Sequence, residues 1–332
     1  MKAITIEQYG GPEVLLKHDD FPMPEAGADD ILIRLVCAGI NFMDVHTRQG
    51  KYANSQTYPV RLPCTLGMEG AGEVIGVGAN VRGFAIGDRV AWCIAWGSYA
   101  EYIAVPQHLV AHIPDGISYA LAAASMFQGA TAHYLMEDIA RLNQDSSCLI
   151  HAASGSIGQL LVQMAKRRGA TVFVTAGSEE KRQVALQRGA DYAFDSTLND
   201  FADQVRDATC GKGVDVVLDP IGKATLRQSF LACKKHGLIV NYGNVSGSLK
   251  DLDPIELGEA GSLFLTRPRL ADHMSDRETV QRRADDVFAA LQDGWLNIHM
   301  NGCYTFDDVE QAHALIEERK QIGKPILKIA DD

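Results

Sequence analysis

Six short apolar runs follow one another from Cys148 onward, and their alternation with amphipathic stretches constrains the fold more than any other feature of this sequence. The runs are rich in valine, isoleucine and leucine, as in strands buried on both faces of a sheet, and they read CLIHA, TVFVTA, DYAFD, VDVVLDP, GLIVNYG and SLFLTRP. Gly169, Gly189 and Gly237 follow basic or polar turns, where left-handed helix caps are expected. The alternation predicts an α/β fold with a doubly wound, six-stranded parallel sheet.

The residues before this alternation have a different pattern. Short strand-like segments lie between glycine, proline and aspartate turns without long helices, and they read ILIRLVCAGI, GAGEVIGVG, DRVAW and AEYIAV. These segments predict a smaller, mostly β domain. The last two helical stretches and a closing PILKI strand do not extend the alternation, so we expect them to return to the first domain. The expected domains are 1–122 with 269–332, and 123–268.

Length and charge limit the class of partner. At about 150 residues per domain, 332 residues correspond to roughly two domains. The chain has 31 Lys and Arg against 42 Asp and Glu, a net charge of −11. Because an acidic surface repels phosphate backbones and anionic membranes, neither nucleic acid nor a membrane is expected as the main partner.

Cysteine spacing and the first residues indicate the compartment. The cysteines are scattered singly with no CxxC pair, which favours a reducing compartment over a disulfide framework or zinc ribbon, and they are Cys37, Cys64, Cys93, Cys148, Cys210, Cys233 and Cys303. The opening MKAITIEQYG has no apolar core of a signal peptide, so we expect a cytoplasmic protein. The uncharged window 116–136 is long enough for a membrane span, but its polar residues favour a buried helix and turn.

A glycine-containing turn joins the first of the six runs to the next helix. CLIHA leads into AASGSIG, which has the spacing A-x-x-G-x-x-G from Ala152 to Gly158. Small residues at such a turn allow a dinucleotide pyrophosphate to approach the backbone N–H groups at the positive end of a helix. The turn therefore predicts a dinucleotide site, although glycine-rich turns also serve purely structural needs.

The end of the second run bears on the choice of cofactor. An Asp or Glu about 20 residues beyond the turn would hold the adenosine ribose of NAD. Here the strand ends in Thr175-Ala176-Gly177-Ser178, and Lys181 and Arg182 follow on the next helix. Hydroxyls and cations suit a 2′-phosphate, so NADPH is expected rather than NADH, although a pair of cations is often only a solvated helix face.

The segment from Gly39 to Tyr52 carries the first domain's candidate reactive groups. Asn41, His46 and Tyr52 place an amide, an imidazole and a phenol in one loop or short helix that follows a strand. Chains of this two-domain type usually react in the cleft between the domains. An asparagine at a strand exit is, however, often only a capping residue.

Several motifs in order resemble one family over nearly the whole chain, the zinc-free quinone oxidoreductases of the medium-chain dehydrogenase/reductase superfamily. The motifs are AGINFMD, LGMEGAGEV, GDRVAW, GSYAEY, QGATAHYL, HAASGSIGQ, VNYGNVSG and LTRP. The resemblance implies a GroES-like catalytic domain, a Rossmann domain, and NADPH-dependent reduction of a quinone. Electron-poor quinones accept hydride from a nicotinamide, and the enzyme mainly supplies proximity and orientation.

The same resemblance bears on whether this chain binds a metal ion. In the zinc-dependent branch, a cysteine stands where this chain has Asn41, a histidine precedes Glu69 where this chain has Met68, and a further cysteine falls near Gln128. Zinc requires three or four nitrogen, sulfur or carboxylate ligands. We therefore expect no metal.

The resemblance also implies roles for individual residues. Asn41, Tyr52 and His46 are implied as catalytic residues, with Asn41 donating its amide to the substrate oxygen. The implied cofactor contacts are Asn41, Tyr134, Ser154, Gly155, Ser156, Ile157, Gly158, Thr175, Ser178, Lys181, Ser196, Tyr242, Gly243, Asn244, Val245, Arg267 and Lys324. This chain departs from the family at His46 and Ser196, where tyrosines are usual, and at Ser156-Ile157, where Gly-Val is usual.

Two other functions stay open from the sequence. One is an NADPH-dependent enone or enoyl reductase acting on an α,β-unsaturated carbonyl or thioester by the same hydride chemistry. The other is a nucleotide-binding protein with a structural or RNA-binding role, although the net charge disfavours RNA. For assembly, SLFLTRP is expected at a sheet edge that pairs with its mate across a two-fold axis, which predicts a homodimer.

Overall fold

All six apolar runs become strands of one sheet. The computed structural model describes residues 1–318, 320 and 322–331, and these divide into two units, 1–130 with 273–332 and 131–272. In the second unit, the strands form a sheet of order β11-β10-β9-β12-β13-β14 in which every pair is parallel. They are β9 (Ser147–His151), β10 (Thr171–Ala176), β11 (Tyr192–Asp195), β12 (Val214–Asp219), β13 (Cys233–Asn241) and β14 (Phe264–Thr266).

Helices cross between these strands and complete the doubly wound fold that the sequence predicts. They are α3 (Ser156–Arg167), α4 (Glu179–Gln187), α5 (Phe201–Ala208), α6 (Leu226–Ala232) and α7 (Ile255–Glu259). The apolar faces of α5 and α6 pack with Leu149, Phe173 and Val217 of the sheet. Because the strand order reverses between β9 and β12, the carboxyl ends of these two strands border the crevice where such sheets bind ligands.

One of the three expected helix caps is wrong. Gly169 and Gly189 have positive φ angles of 80° and 106°, as expected, whereas the left-handed residue near Gly237 is His236, with φ 60°. The helix before it ends earlier than the sequence suggests, because the chain enters β13 at Cys233. The β12–β13 register then shifts between Val214 and Val216, so the extra residues form a bulge rather than a last helical turn.

The first unit is built mainly from antiparallel strands. Its two sheets, formed by described residues, have the orders β2-β1-β4 and β15-β16-β3-β5-β6-β8, with β7 also pairing with β3. The strands are β1 (Ala3–Ile6), β2 (Leu16–His18), β3 (Asp30–Gly39), β4 (Cys64–Thr65), β5 (Glu69–Val77), β6 (Arg89–Cys93), β7 (Tyr102–Pro106), β8 (Val110–His112), β15 (Met300–Tyr304) and β16 (Lys324–Lys328).

Helices and the chain end complete this unit. The helices are α1 (Phe42–Arg48), α2 (Tyr119–Tyr134), which continues as a π-helix over Leu135–Ala140, α8 (Arg277–Gln292) and α9 (Val309–Glu317). The closing strand β16 pairs antiparallel with β3, and α9 buries Val309, Ala312 and Ile316 against Ile4 and Ile6 of the N-terminal strand. The domain boundaries expected from the sequence stay a prediction.

The uncharged window at 116–136 contains the whole of α2, the buried helix that the sequence predicts. In the described part of the chain, we find no helix with both the length and the apolar character needed to span a bilayer.

Candidate active site

Asn41 links β3 to α1 in the first unit. It is the N-cap residue of the helix, with extended backbone angles of φ −128° and ψ 154°, and its backbone N–H donates to Asp44 Oδ2 at 2.7 Å. This return bond from the third helical residue is half of a capping box, which sets the angle at which the chain enters the helix.

The Asn41 carboxamide has hydrogen-bond partners at both ends. Its Nδ2 donates to Glu69 Oε1 at 2.8 Å and, over a longer 3.4 Å, to the Gly39 carbonyl. Its Oδ1 accepts from Gln128 Nε2 at 2.6 Å and from Lys324 Nζ at 2.8 Å. Asn41 is only 4% exposed, and protein groups therefore bind both the nitrogen and the oxygen of its carboxamide.

Glu69 and Lys324 form an ion pair in the interior of this unit. Their side chains are 0% and 1% exposed, and the ammonium donates to Glu69 Oε1 and to the Ile40 carbonyl at 3.2 Å. The other carboxylate oxygen accepts from the Phe127 N–H at 2.7 Å. Burial lowers the pKa of Lys324, and the Glu69 carboxylate opposes that shift.

His46 and Tyr52 lie in a row of rings. The His46 ring meets Phe42 edge-on at 4.6 Å and lies 6.3 Å from Tyr52, which in turn lies 6.0 Å from Tyr58. Burial, with a smaller contribution from Lys51, lowers the pKa of His46 to about 4, so its imidazole is neutral near pH 7. Its Nε2 is buried and has no hydrogen-bond partner in the part of the chain that the structure describes.

A second set of buried polar side chains adjoins Asp44, the residue that accepts a hydrogen bond from the backbone N–H of Asn41. The Tyr99 hydroxyl donates to Asp44 Oδ2 at 3.2 Å and lies 3.2 Å from His313 Nε2, while buried Arg48 pairs with Glu317 at 2.6 Å. Burial raises the pKa of Asp44 to about 7. Burial and the nearby guanidinium lower the pKa of His313 to about 3.

In the second unit, the predicted pyrophosphate turn runs from the end of β9 into α3. Ala152 begins the turn and has a left-handed φ of 51°, a conformation that costs a non-glycine residue roughly 1–2 kcal/mol. Gly155 is the N-cap of α3. A side chain on Gly158 would collide with the backbone of Ala152 and Ala153, so this glycine lets the helix pack closely on the strand.

A chain of side-chain hydrogen bonds crosses the carboxyl ends of the strands beside this turn. His151 contacts Thr175 Oγ1 through Nδ1 at 2.7 Å and Ser229 Oγ through Nε2 at 2.9 Å. Ser229 donates to Asp219 Oδ2 at 3.2 Å, and Thr225 donates to the same oxygen at 2.7 Å. Thr175 is 1% exposed, so its hydroxyl points into the sheet.

The end of β10 carries the groups expected near the adenosine ribose. Ser178 is the N-cap of α4, where its hydroxyl accepts from the Lys181 N–H at 3.3 Å. Arg182 pairs with Glu179 at 2.8 Å and with Asp195 at 2.7 Å, so its charge is compensated by protein. Ser196 is exposed, and its backbone N–H donates to the Ala176 carbonyl at 3.1 Å.

The predicted cofactor contacts Tyr242, Gly243, Asn244 and Val245 follow β13. A side chain on Gly243 would collide with the backbone of Pro220, and the Val245 N–H donates to the Pro220 carbonyl at 3.2 Å. Burial, aided by Asp219 and Tyr134, raises the pKa of Tyr242 above its usual range. The remaining predicted contacts here are half-buried Ser156, Ile157 and Asn244, buried Ser154 and Tyr134, and exposed Arg267.

Several residues around Asn41 were not predicted from the sequence as part of the site. Glu69, Gln128, Asp44 and Tyr99 appeared in those predictions only within family motifs or in the comparison with zinc ligands, without a role of their own, and Tyr58 did not appear. An ionisable residue such as Glu69 at the head of an apolar strand was the available signal, because buried carboxylates are almost always paired. Its partner Lys324 is distant in sequence and was not predictable from spacing.

The donor set is poor for a metal ion. Among the residues that the structure describes, we find no group of three or more His, Cys, Asp or Glu side chains that is arranged to hold one. At the positions of the zinc-branch ligands, Asn41 and Gln128 are amides, and the ammonium of Lys324 lies against both Asn41 and Glu69. This ammonium already supplies the positive charge beside the carboxylate.

Comparison with known proteins assigns the family. The chain matches the family model described as alcohol dehydrogenase GroES-like domain over residues 27–115 and the one described as zinc-binding dehydrogenase over residues 156–275. A quinone oxidoreductase of Pseudomonas aeruginosa is 35% identical over 327 residues, which cover 98% of this chain and 99% of that protein. The chain belongs to the quinone oxidoreductase family of the medium-chain dehydrogenases/reductases.

Two more relatives show the range of this family. The crystal structure of the Escherichia coli quinone oxidoreductase complexed with NADPH has a TM-score of 0.94 at 32% identity, covering 99% of this chain and 100% of that chain. A 2-haloacrylate reductase of a Burkholderia species is 32% identical over 332 residues, with 98% of both chains covered. The family and the GroES-like plus Rossmann fold expected from the sequence are thereby confirmed, whereas the roles of individual site residues stay predictions.

The buried imidazole of His313 predicts a loss of stability in acid. Because its pKa is about 3 in the folded protein and about 6.5 when unfolded, the unfolded chain binds the extra proton between these values. The stabilisation is therefore complete above pH 6.5 and is lost as the pH falls toward 3. His313→Gln is expected to flatten the pH dependence of the unfolding free energy by up to about 1.4 kcal/mol per pH unit.

Urea unfolding at a series of pH values measures this slope. The exposed His108 supplies the control, and His108→Gln is expected to leave the slope unchanged. A wild-type slope in the His313→Gln protein would contradict the prediction.

Proposed function

We propose that this protein is an NADPH-dependent quinone reductase that transfers hydride without a metal ion. The observation that carries the proposal is the carboxyl edge of the parallel sheet, where a small-residue turn opens a helix and the next strand ends without a carboxylate. The overall reaction takes a quinone, NADPH and a proton to a hydroquinone and NADP⁺. When bound, the nicotinamide supplies the hydride, and the protein supplies binding, orientation and exclusion of water.

The turn in the second unit fits a dinucleotide. The backbone from Ser154 to Gly158 approaches closely because Gly158 has no side chain, and the first turn of α3 directs N–H groups toward an anion. Lys181 and Ser178 at the start of α4 suit a 2′-phosphate. We assign the phosphate to Lys181 because its backbone N–H binds Ser178, the N-cap of α4, which places both residues at the positive end of this helix. The neighbouring Arg182 pairs with Glu179 and Asp195. The role of Thr175 is indirect. Its hydroxyl is bonded to His151, so it helps to hold together the carboxyl ends of the strands.

The first unit supplies groups for an acceptor that is already electrophilic. Reduction of a quinone places negative charge on an oxygen, which a hydrogen-bond donor stabilises. We assign this donor to Asn41, with the neutral imidazole of His46 and the ring of Tyr52 as the adjoining wall. Alcohol oxidation would instead require a Lewis acid to form the alkoxide, and the ammonium of Lys324 beside Glu69 disfavours a cation there.

A second enzymatic candidate uses the same groups. An activated double bond conjugated to a carbonyl also accepts hydride and places charge on an oxygen, and a 2-haloacrylate reductase is among the relatives. The row of Phe42, His46, Tyr52 and Tyr58 favours a flat ring over a small acrylate. The non-enzymatic alternative, RNA binding, has the net charge of −11 against it.

We also infer a homodimer that works in the cytoplasm. Strand β14 lies at the edge of the parallel sheet, and Phe264 on it is 63% exposed. An exposed edge strand with a large apolar side chain is covered most simply by its mate across a two-fold axis. All seven cysteines are free thiols, which fits a reducing compartment.

Steady-state kinetics test the activity. The purified protein is expected to oxidise NADPH with 1,4-benzoquinone or 1,4-naphthoquinone as acceptor, at the same rate with and without a metal chelator. Activity confined to alcohols with NAD⁺, or lost on chelation, would contradict the proposal. Retardation of RNA without any NADPH oxidation would favour the non-enzymatic alternative.

Lys181→Ala tests the assignment of the cofactor. Because a hydrogen bond to a charged group contributes about 1.5 kcal/mol or more, KM for NADPH is expected to rise about tenfold while KM for NADH stays nearly unchanged. Lys212→Ala, which removes an exposed lysine elsewhere in the same unit, is the control. Equal effects of Lys181→Ala on the two coenzymes would remove the phosphate role.

Light scattering tests the dimer. We expect twice the mass of one chain at micromolar concentration, and the mass of a single chain for Phe264→Asp, which places a charge at the proposed contact. Ile86→Asp changes another exposed apolar residue, 71% exposed in the first unit, and should leave the dimer intact. A monomeric wild-type protein would refute the inference.

A further inference from the structure

The contacts of Asn41 fix which way its carboxamide faces. The Lys324 ammonium can only donate hydrogen bonds, and the Glu69 carboxylate accepts them. The amide oxygen must therefore face Lys324, and the amide nitrogen must face Glu69, as the distances of 2.8 Å on each side show. A flipped amide would place N–H groups against an ammonium and an oxygen against a carboxylate.

Gln128 reinforces this orientation from α2. Its Nε2 donates to the same Asn41 oxygen at 2.6 Å, so this oxygen accepts two hydrogen bonds. Gln128 is 5% exposed, and among the described residues its Oε1 has no hydrogen-bond partner. The bond from its Nε2 to Asn41 therefore sets the position of its amide.

One hydrogen of the Asn41 amide remains for a ligand. The first amide hydrogen bonds Glu69 at 2.8 Å, whereas the second, as far as the described residues show, reaches only the Gly39 carbonyl at 3.4 Å. Hydrogen bonds weaken beyond the usual donor–acceptor range of about 2.7–3.2 Å. A substrate oxygen that accepts the second hydrogen therefore replaces only the long contact with the Gly39 carbonyl.

Lys324, in contrast to Asn41, uses all of its ammonium hydrogens in bonds to described protein atoms. Its three ammonium hydrogens have three protein oxygens as partners, those of Glu69, Asn41 and the Ile40 carbonyl. The residue is 1% exposed. A direct contact with a cofactor phosphate or ribose would require breaking one of these bonds inside the protein.

We propose that Glu69 and Lys324 are positioning residues that hold the Asn41 carboxamide in the one orientation that presents its N–H to the oxygen of the hydride acceptor, with Gln128 as the second donor that secures it. Lys324 thereby serves the reaction without touching the cofactor. The proposal rests on the proposed function, in which Asn41 contacts the substrate.

The test removes both charges together. Lys324→Met alone would leave a buried carboxylate unpaired, so the informative protein is the double variant Lys324→Met/Glu69→Gln, in which the ion pair no longer orients Asn41 and Gln128 alone remains to do so. We expect kcat for 1,4-naphthoquinone to fall about tenfold, while the Kd for NADPH, measured by fluorescence titration, stays within about twofold. Lys328→Met, which changes an exposed lysine on the same strand, is the control and should match wild type.

A cycle with Asn41→Ala shows whether the effect passes through Asn41. In the Asn41→Ala background the double variant is expected to cost almost nothing further, because the group it positions is gone. An equal loss in both backgrounds would overturn the proposal. So would a tenfold weaker NADPH affinity with unchanged kcat, since that result would make Lys324 a cofactor contact.

Gln128→Leu keeps the ion pair and serves if the double variant does not fold. It is expected to lower kcat about threefold without changing NADPH affinity, and a wild-type kcat would count against the proposal. If Asn41→Ala itself left kcat unchanged, the substrate role of Asn41 and this inference would both fail. Quinone reduction by the wild-type protein is measured separately, so failure of the proposed activity remains distinguishable.

Discussion

The buried ion pair between Glu69 and Lys324 joins the parts of the first unit that come from opposite ends of the chain. Glu69 begins β5, and Lys324 begins β16. Removing two charges from water costs several kcal/mol per ion unless other polar groups satisfy them. Here the carboxylate also binds the Phe127 N–H of α2 and the Asn41 amide, and the ammonium also binds Asn41 and the Ile40 carbonyl. Two strands, α2 and the cap of α1 therefore meet in one arrangement.

A polar chain organises the second unit in a similar way. Asp219 accepts from the N–H groups of Ile221 and Gly222 and from the hydroxyls of Thr225 and Ser229. Because Ser229 gives its one hydrogen to Asp219, it accepts from His151 Nε2. Burial lowers the pKa of His151, and the neutral ring then accepts from Thr175 through Nδ1. The carboxyl ends of β12, β9 and β10 are thereby tied together beside the turn that we assign to the pyrophosphate.

The structure agrees with the sequence-based predictions where a local pattern of residues determines the secondary structure. The six apolar runs are the six parallel strands, and Gly169 and Gly189 are left-handed residues at helix ends. The cap expected at Gly237 was wrong because pairing of β13 with β12 begins at Cys233 and overrides the helical pattern. Strand pairing of this kind depends on a neighbour distant in the chain, which no local window contains.

The same distinction between local and distant determinants applies to the candidate site. By itself, the sequence determined the alternation that builds a dinucleotide-binding sheet, the small-residue turn, the absence of an acid after β10, and Asn41 at a strand exit, since each is a property of adjacent residues. Only the tertiary structure decided that Glu69, Gln128 and Lys324 surround Asn41, that Arg182 is paired with acids, and that the hydroxyl of Thr175 points inward. Buried polar groups must find partners wherever the fold brings them, and in this chain Lys324 and its partner Ile40 lie 284 residues apart.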